Sequence, residues 1–255
     1  MASVLPYGCF THAVVRCIPE TFGKVDNEKT DKVENGETMT DLAKAQRQFG
    51  VLTGALRQKV GLQLIEIPAD PELPESWRIE DVAVIQGDTA LITRPFKQQR
   101  RREAEAVRRV MSELNLTVVE LGAEEGGSVG ATLEGSDVLF TGREFFDFAV
   151  STVPVCEGAR LKNICSMGGP DTIIISNSDG AKKTLRSAAA NCVYVRGPSK
   201  VDYLLHRPTE ECPDSVPAFQ KLTDYTLLPT ACSEASKLGG YLSSFCLLIN
   251  RKPYF

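Results

Sequence analysis

Histidine is nearly absent from this chain of 255 residues: His12 and His206 are the whole supply, and there is a single tryptophan. Any mechanism that passes a proton through an imidazole therefore has two candidates. The eight cysteines, Cys9, Cys17, Cys156, Cys165, Cys192, Cys212, Cys232 and Cys246, include no C-x-x-C pair, so their spacing does not read as a zinc or redox site. No metal and no cofactor is expected, and most of these thiols are expected to be reduced and buried. No apolar run approaches the roughly 18 residues that would span a bilayer, and the first residues lack the basic and long apolar regions of a secretion signal. A cytoplasmic location without membrane contact is the resulting expectation. Charge of one sign is also missing. Lys+Arg total 29 against 33 Asp+Glu, a net charge of −4, which gives no electrostatic pull toward nucleic acid. Low-complexity segments and long linkers are absent, so residues 1–255 are read as one domain.

What the chain does have is alternation. Residues 11–18 read as a strand that Pro19 ends, and 24–37 as a charged surface loop. From Thr38 to Val60 the apolar Leu42, Ala45, Phe49, Leu52, Leu56 and Val60 recur every three or four residues, which predicts an amphipathic helix that Gly61 stops. A strand follows at 62–67. Residues 81–85 and 89–93 pair as a hairpin around Gly87-Asp88. A helix over 99–114 begins with Arg100, Arg101 and Arg102, where positive charge opposes the helix dipole, so these arginines are not placed for helix stability. Strands are expected near 116–121, 137–140, 164–167, 172–176, 191–196, 201–206, 225–229 and 242–249, with helices near 179–190 and 214–222. The fold class is α/β, with a repeating βαβ-like unit.

Four clusters carry chemistry. Glu80 and Asp81 open an apolar strand; adjacent exposed acids are the commoner reading of such a pair, and a carboxylate clamp for a guanidinium is the functional one. Glu134 and Asp137 flank a Gly-Ser turn that leads toward Arg143, which also fits an ordinary capped turn. Arg94 and Arg100–Arg102 form a basic stretch whose plain reading is a solvated face. Near the C-terminus, Ser244 and Cys246 fall on one face of the expected last strand. For Cys246 alone a buried core thiol is the commoner outcome.

The stretches THAVVR, DLAKAQRQFGVL, LRQKVGLQLIE, EDVAVIQGDTALITRP, GSDVLFTGREFF, FAVSTVPV, CSMGGP, LLHR and LSSFCLLIN run from residue 11 to residue 250. Together they resemble the dimethylarginine dimethylaminohydrolase family, in particular its vertebrate type-2 form. The resemblance implies a five-fold pseudosymmetric α/β propeller of the guanidino-group-modifying superfamily. It implies hydrolysis of methylated arginines to citrulline and dimethylamine or methylamine, a step of arginine metabolism that supports nitric oxide production. The family mechanism attacks the guanidinium carbon with a cysteine thiolate, while a histidine held by a carboxylate protonates the leaving amine and then activates water. Carried onto this chain, Glu80 and Asp81 match the guanidinium-binding acids and Glu75 a substrate-contacting acid. Arg100 and Arg143 match the arginines around the substrate carboxylate, Glu134 the carboxylate that orients the histidine, and Cys246 the candidate nucleophile. The 24–37 stretch sits where the family has its active-site lid, without matching the lid's residues.

Three departures accompany the match. Arg160 stands at the family's histidine, and a guanidinium with a pKa above 12 is no proton shuttle at neutral pH. Ser244 aligns with the nucleophilic cysteine of the type-1 enzymes, with Cys246 one strand step of about 6.6–6.8 Å beyond it. Two internal gaps, near 146/147 and 190/191, shorten the propeller, and Phe145, Phe146 and Phe148 are expected to suffer from the first. The alternative to an active hydrolase is a catalytically silent member that binds a small molecule or a protein. Either way, Glu80, Asp81, Glu134 and Arg143 are expected to converge on one pocket.

Overall fold

A computed structural model describes residues 7–24, 40–121, 131–140, 160–170, 172–176 and 188–251. The segment Asp41–Gly54 shows how sequence becomes structure here. Asp41 caps the helix by accepting a bond from the Lys44 amide at 2.9 Å, and α1 (Leu42–Gly54) buries Ala45, Phe49 and Leu52. A π-helical stretch, Ala55–Val60, continues the stripe with Leu56 and Val60 until Gly61 adopts φ +83°. A left-handed residue at that place is what glycine supplies.

Three sheets repeat one plan: an antiparallel pair, then a helical crossover to a third, parallel strand. In the first, β1 (His12–Arg16) lies between β2 (Gln63–Ile67), parallel to it across α1, and the last strand β11 (Cys246–Ile249), antiparallel to it. The two ends of the described chain are thus closed in one sheet. The second joins β3 (Ala83–Gln86) and β4 (Thr89–Ile92) as the expected hairpin, with α2 (Ala104–Glu113) leading to β5 (Thr117–Glu120). The third joins β8 (Val193–Arg196) and β9 (Asp202–His206), with α4 (Val216–Phe219) leading to β10 (Thr226–Pro229). A fourth sheet contains β6 (Cys165–Gly169) and β7 (Thr172–Ile175), preceded by α3 (Leu161–Ile164). Among the described residues this sheet has two strands where the others have three, and Ile173 and Ile175 on it are 46% and 71% exposed. A further helix among the described residues, α5 (Ser233–Lys237), falls where the sequence pattern marks none.

The core lies between these sheets. Ala13 and Val15 enter one apolar cluster with α1, Trp77 and Phe245, while Val14 enters a second with α2, Ile79 and Ile249. Burial on both faces explains why β1 reads as a continuous apolar run rather than an alternating one.

Several expected boundaries shift, and two shifts matter for function. Glu80 and Asp81 do not open a strand; they sit in a 3-10 turn, Ile79–Val82, just before β3. The last strand does not reach back to 242, because Leu242–Phe245 is another 3-10 turn and β11 begins at Cys246. Gly135–Asp137 is likewise a 3-10 turn, and residues 138–140 form no strand. The helix expected over 214–222 shrinks to a 3-10 turn, Pro213–Ser215, plus α4. Of the helix expected over 179–190, only the 3-10 turn Ala188–Ala190 falls among the described residues. Arg143, the three phenylalanines near 146 and most of the 24–37 loop lie outside them.

Candidate active site

The turn Ile79–Val82 delivers two carboxylates to the interior: Glu80 is 5% exposed and Asp81 fully buried. A second turn, Gly135–Asp137, presses against the first. A β-carbon on Gly135 would stand 2.1 Å from the Glu80 carbonyl oxygen and 2.7 Å from that of Ala83. Only glycine permits this approach, which sets Glu134 beside Asp81.

Two guanidinium groups occupy the space between these acids. Arg160, the N-cap of α3, donates from Nη1 to Asp81 Oδ2 at 2.7 Å and from Nη2 to Glu134 Oε2 at 2.8 Å. Arg100 donates from Nη1 to the same Asp81 oxygen at 2.7 Å and grips Glu103 through Nε at 3.1 Å and Nη2 at 2.9 Å. Burial opposes ionisation of Asp81, but Arg100 and Arg160 overcome it and hold its pKa below the ordinary value. Glu134 moves the other way: burial and then the Asp81 charge raise its pKa against the pull of Arg160. Burial works against the charge on Arg100 too, yet Asp81 and Glu103 raise its pKa.

Glu80 belongs to a neighbouring network. Lys162, two residues after Arg160, donates to Glu80 Oε1 at 2.6 Å, and the Ser243 hydroxyl donates to Oε2 at 2.7 Å. Asn191 ties this corner together. Its Nδ2 donates to the Lys162 carbonyl and to Ser243 Oγ, both at 2.8 Å, and its Oδ1 accepts from the Ser243 amide at 3.0 Å. Lys162, Ser243 and Asn191 escaped sequence reasoning, since their partners lie tens of residues away.

The structure therefore gathers Glu80, Asp81, Glu134, Arg100 and Arg160 in one place. Glu75 stands to one side, bonded to Lys97 at 2.9 and 3.1 Å and 3.6 Å from Arg78. Arg143, expected to converge with them, lies outside the described residues.

Ser244 and Cys246 do not share a strand face, because the 3-10 turn intervenes. Ser244 is 3% exposed and its hydroxyl accepts from the Tyr241 amide at 3.1 Å, closing a capping box. Ser243 is the serine that faces the acids. The Cys246 thiol is buried, and burial, then the Glu80 charge, push its pKa up to about 12 against the opposing influence of Lys162.

Neither histidine joins the site. His12 Nδ1 meets the Thr11 hydroxyl at 2.7 Å, and His12 lies three residues along β1 from Val15, the partner of Cys246, a separation of roughly 10 Å. His206 Nδ1 meets the Arg207 carbonyl, and its ring stacks on Phe219. Among the described residues, no group of three or more His, Cys, Asp or Glu is arranged to hold a metal ion.

No family model matches the chain. The proteins named "Putative hydrolase DDAH2" of Homo sapiens and Bos taurus are each 42% identical to it over 286 aligned positions, covering 97% of this chain and 97% of each relative. The chain belongs to the dimethylarginine dimethylaminohydrolase family. Within it, the type-2 form of vertebrates is the one it matches. The alignment is longer than the chain, 286 positions against 255 residues, so this family member is internally shortened relative to these homologues.

Solved structures agree on the fold. A cysteine-to-serine variant of the dimethylarginine dimethylaminohydrolase of Pseudomonas aeruginosa, complexed with citrulline, superposes with a TM-score of 0.73 at 19% identity, covering 94% of this chain and 100% of that one. The N-terminal domain of ArgZ, an arginine dihydrolase of cyanobacteria bound to substrate, gives 0.69 at 15% identity, covering 94% of this chain and 98% of that one. The architecture is the pseudo-five-fold α/β propeller of these guanidino-modifying proteins, and the described residues supply four of its sheets.

Proposed function

We propose that this chain is a methylarginine-directed member of the dimethylarginine hydrolases. Its ligand class is N(G),N(G)-dimethylarginine and N(G)-monomethylarginine. The reaction its site is built for is their hydrolysis to citrulline and dimethylamine or methylamine, which removes inhibitors of nitric oxide synthase. One observation carries the ligand class: Asp81 and Glu134 hold a guanidinium, that of Arg160, by two charge-assisted bonds at 2.7 and 2.8 Å. A cage that accepts this group from its own chain has the charge and planar geometry to accept it from a ligand. We read the chain as one domain in the cytoplasm, in keeping with seven described cysteines that are all unpaired thiols. No helix among the described residues is long and apolar enough to cross a membrane.

The chemical steps, as distinct from binding, are weakly provided for. Attack requires a thiolate, and a thiol with a pKa near 12 is ionised to about one part in 10⁵ at pH 7. The leaving amine must gain a proton and the attacking water must lose one, and Arg160 does neither. In this conformation Arg160 also fills the place a substrate guanidinium would take. These observations favour a second reading, in which the chain binds methylarginine and turns it over slowly or not at all.

Calorimetric binding of dimethylarginine beside assay of citrulline release tests both. Binding that strengthens in Arg160→Ala supports the cage. Citrulline release by the wild-type chain at a rate ordinary for an enzyme supports hydrolysis and removes the second reading. Absence of binding in both proteins removes the ligand class.

A further inference from the structure

The outer edge strands of this fold are guarded in three sheets and bare in the fourth. In the first three sheets the strand parallel to the middle one, β2, β5 or β10, forms that edge. Each carries a residue that discourages pairing with another chain: Glu66 in β2, Glu120 in β5 and Pro229 in β10. In the fourth sheet the place falls to β7, whose sequence Thr172-Ile173-Ile174-Ile175 has neither a charge nor a proline. Ile173 and Ile175 are exposed, while Ile174 packs into the cluster of Tyr194 and Phe219. Two apolar β-branched side chains thus stand on an edge with nothing to repel a partner.

The backbone of β7 points the same way. The Ser176 amide donates to the Ile164 carbonyl at 2.8 Å, one step beyond the Cys165↔Ile175 pair. Antiparallel neighbours alternate between hydrogen-bonded and non-bonded positions, so Ile174 and Ser176 turn their N–H and C=O toward β6. Those of Ile173 and Ile175 turn away from it, and among the described residues no strand meets them. The connection that follows is short. Residues 93–116 carry the chain from β4 to β5 and residues 207–225 from β9 to β10, 24 and 19 residues for the crossover alone. From β7 to β8, the first strand of the next sheet, there are 17, residues 176–192. That is fewer than either crossover, before any third strand is counted.

We propose that β7 is a self-association edge whose occupant is β7 of a second copy of this chain, antiparallel to the first about a two-fold axis at Ile174. In that register Ile173 faces Ile175 of the partner subunit and the two exchange both backbone bonds. The symmetric pair does the same, four bonds in all. The four isoleucine side chains fall on one face of a continuous four-stranded sheet, in the order β6, β7, β7, β6, and cover one another. The strand is its own complement and the two-fold consumes the edge of both copies, so association closes at a dimer instead of growing into a fibre. So short a strand gives a weak dimer, with a dissociation constant on the order of 1–100 μM.

Sedimentation of the full chain across that concentration range should show a reversible monomer–dimer equilibrium. Ile175→Lys should weaken it at least about tenfold, because it sets a charge at each end of the paired strands. Val51→Lys places the same charge on an exposed valine of α1 and should leave the dimer unchanged. In the wild-type protein, amide hydrogen exchange at Ile173 and Ile175 should slow as concentration rises, while exchange at Ile174, already turned toward β6, should not. A monomer at every concentration overturns the proposal, as does a dimer that Ile175→Lys leaves intact or that Val51→Lys dissolves equally. Species larger than a dimer overturn the two-fold register. Exchange at Ile173 and Ile175 that ignores concentration overturns the edge pairing without requiring any variant to fold.

Discussion

Replacing Arg160 by alanine should destabilise the fold and open a site that free methylguanidine refills. The side chain makes two short bonds to carboxylates that are 0% and 15% exposed, and is itself 19% exposed. Removing one partner of a buried pair costs roughly 3–5 kcal/mol. Asp81 keeps its bond to Arg100 and some water reaches the site, so the expected cost is about 2–3 kcal/mol. For a chain of this size that is a loss of about 4–12 °C in melting temperature. The deficit should shrink in acid. The folded pKa of Asp81 lies below its ordinary 3.8, so its stabilising contribution is present above that value and fades as pH falls through the folded pKa. The variant, lacking one of the two cations, loses that contribution at higher pH. Methylguanidine at about 100 times its dissociation constant returns about 2.7 kcal/mol, enough to restore most of the lost stability. Thermal melts of both proteins with and without methylguanidine make the measurement. A variant that melts with the wild type, or gains no more from methylguanidine than the wild type does, would refute the guanidinium cage.

Four further outcomes follow from the same geometry. Cys246 should resist iodoacetamide in the native protein at neutral pH, and peptide mapping that finds it alkylated as fast as an exposed thiol would contradict its burial and raised pKa. Gly135→Ala should lower the denaturant midpoint by an amount equivalent to about 2 kcal/mol or more, because its methyl group meets two backbone carbonyls; an unchanged midpoint means the two turns are not in contact. Glu234 is fully buried against the Asp41 amide, Lys44 and Lys237, and although burial opposes it, these partners lower its pKa from 4.5 to about 2. Its contribution is thus present above pH 4.5 and lost toward pH 2, and Glu234→Gln should flatten that limb of the stability curve; a limb of the same steepness places the acid sensitivity elsewhere. Combining Arg160→His with Ser243→Cys should raise citrulline release at least about tenfold over Arg160→His alone, whereas Ser244→Cys in the same background should add nothing, because only Ser243 faces Glu80; a gain from Ser244→Cys instead would reverse that assignment.

The sequence exposed the repeating elements better than the turns that make the site. The stripe from Leu42 to Val60 and the Gly87-Asp88 hairpin are local patterns, and both stand as read. The turns Ile79–Val82 and Leu242–Phe245 are short and run straight into β3 and β11, so they read as the starts of those strands, although the two polar residues that each sets between apolar residues three apart have the spacing of a 3-10 turn. That difference turned Ser244 away and Ser243 inward, which no strand periodicity could indicate. The acids were legible through their family pattern. Their partners were not: Arg160 meets Asp81 across 79 positions, Lys162 meets Glu80 across 82, and Ser243 meets Glu80 across 163. Burial of Arg100 was also hidden, because a basic run reads as a surface until Glu103 and Asp81 are seen to enclose one member of it.

The arginine at position 160 also has a structural rationale. Asp81 and Glu134 are fixed by the contact of two turns, so they face each other whether or not a ligand is present. A neutral imidazole at position 160 would leave this pair with Arg100 alone for compensation. A guanidinium satisfies both, so stability favours the residue that disables proton transfer. Binding of a methylarginine then becomes an exchange, since the ligand's guanidinium must displace one already making two short bonds. Such an exchange gains little from the cage itself, whose bonds are nearly the same before and after. Discrimination must come from the part of the ligand that Arg160 does not imitate, its amino-acid end. Glu134→Gln should therefore change affinity for a guanidino amino acid little in the wild-type chain, where it weakens the Arg160 bond and the ligand bond alike, and much more once Arg160 is removed; calorimetric titration of the two pairs of proteins that gives equal losses would refute the exchange.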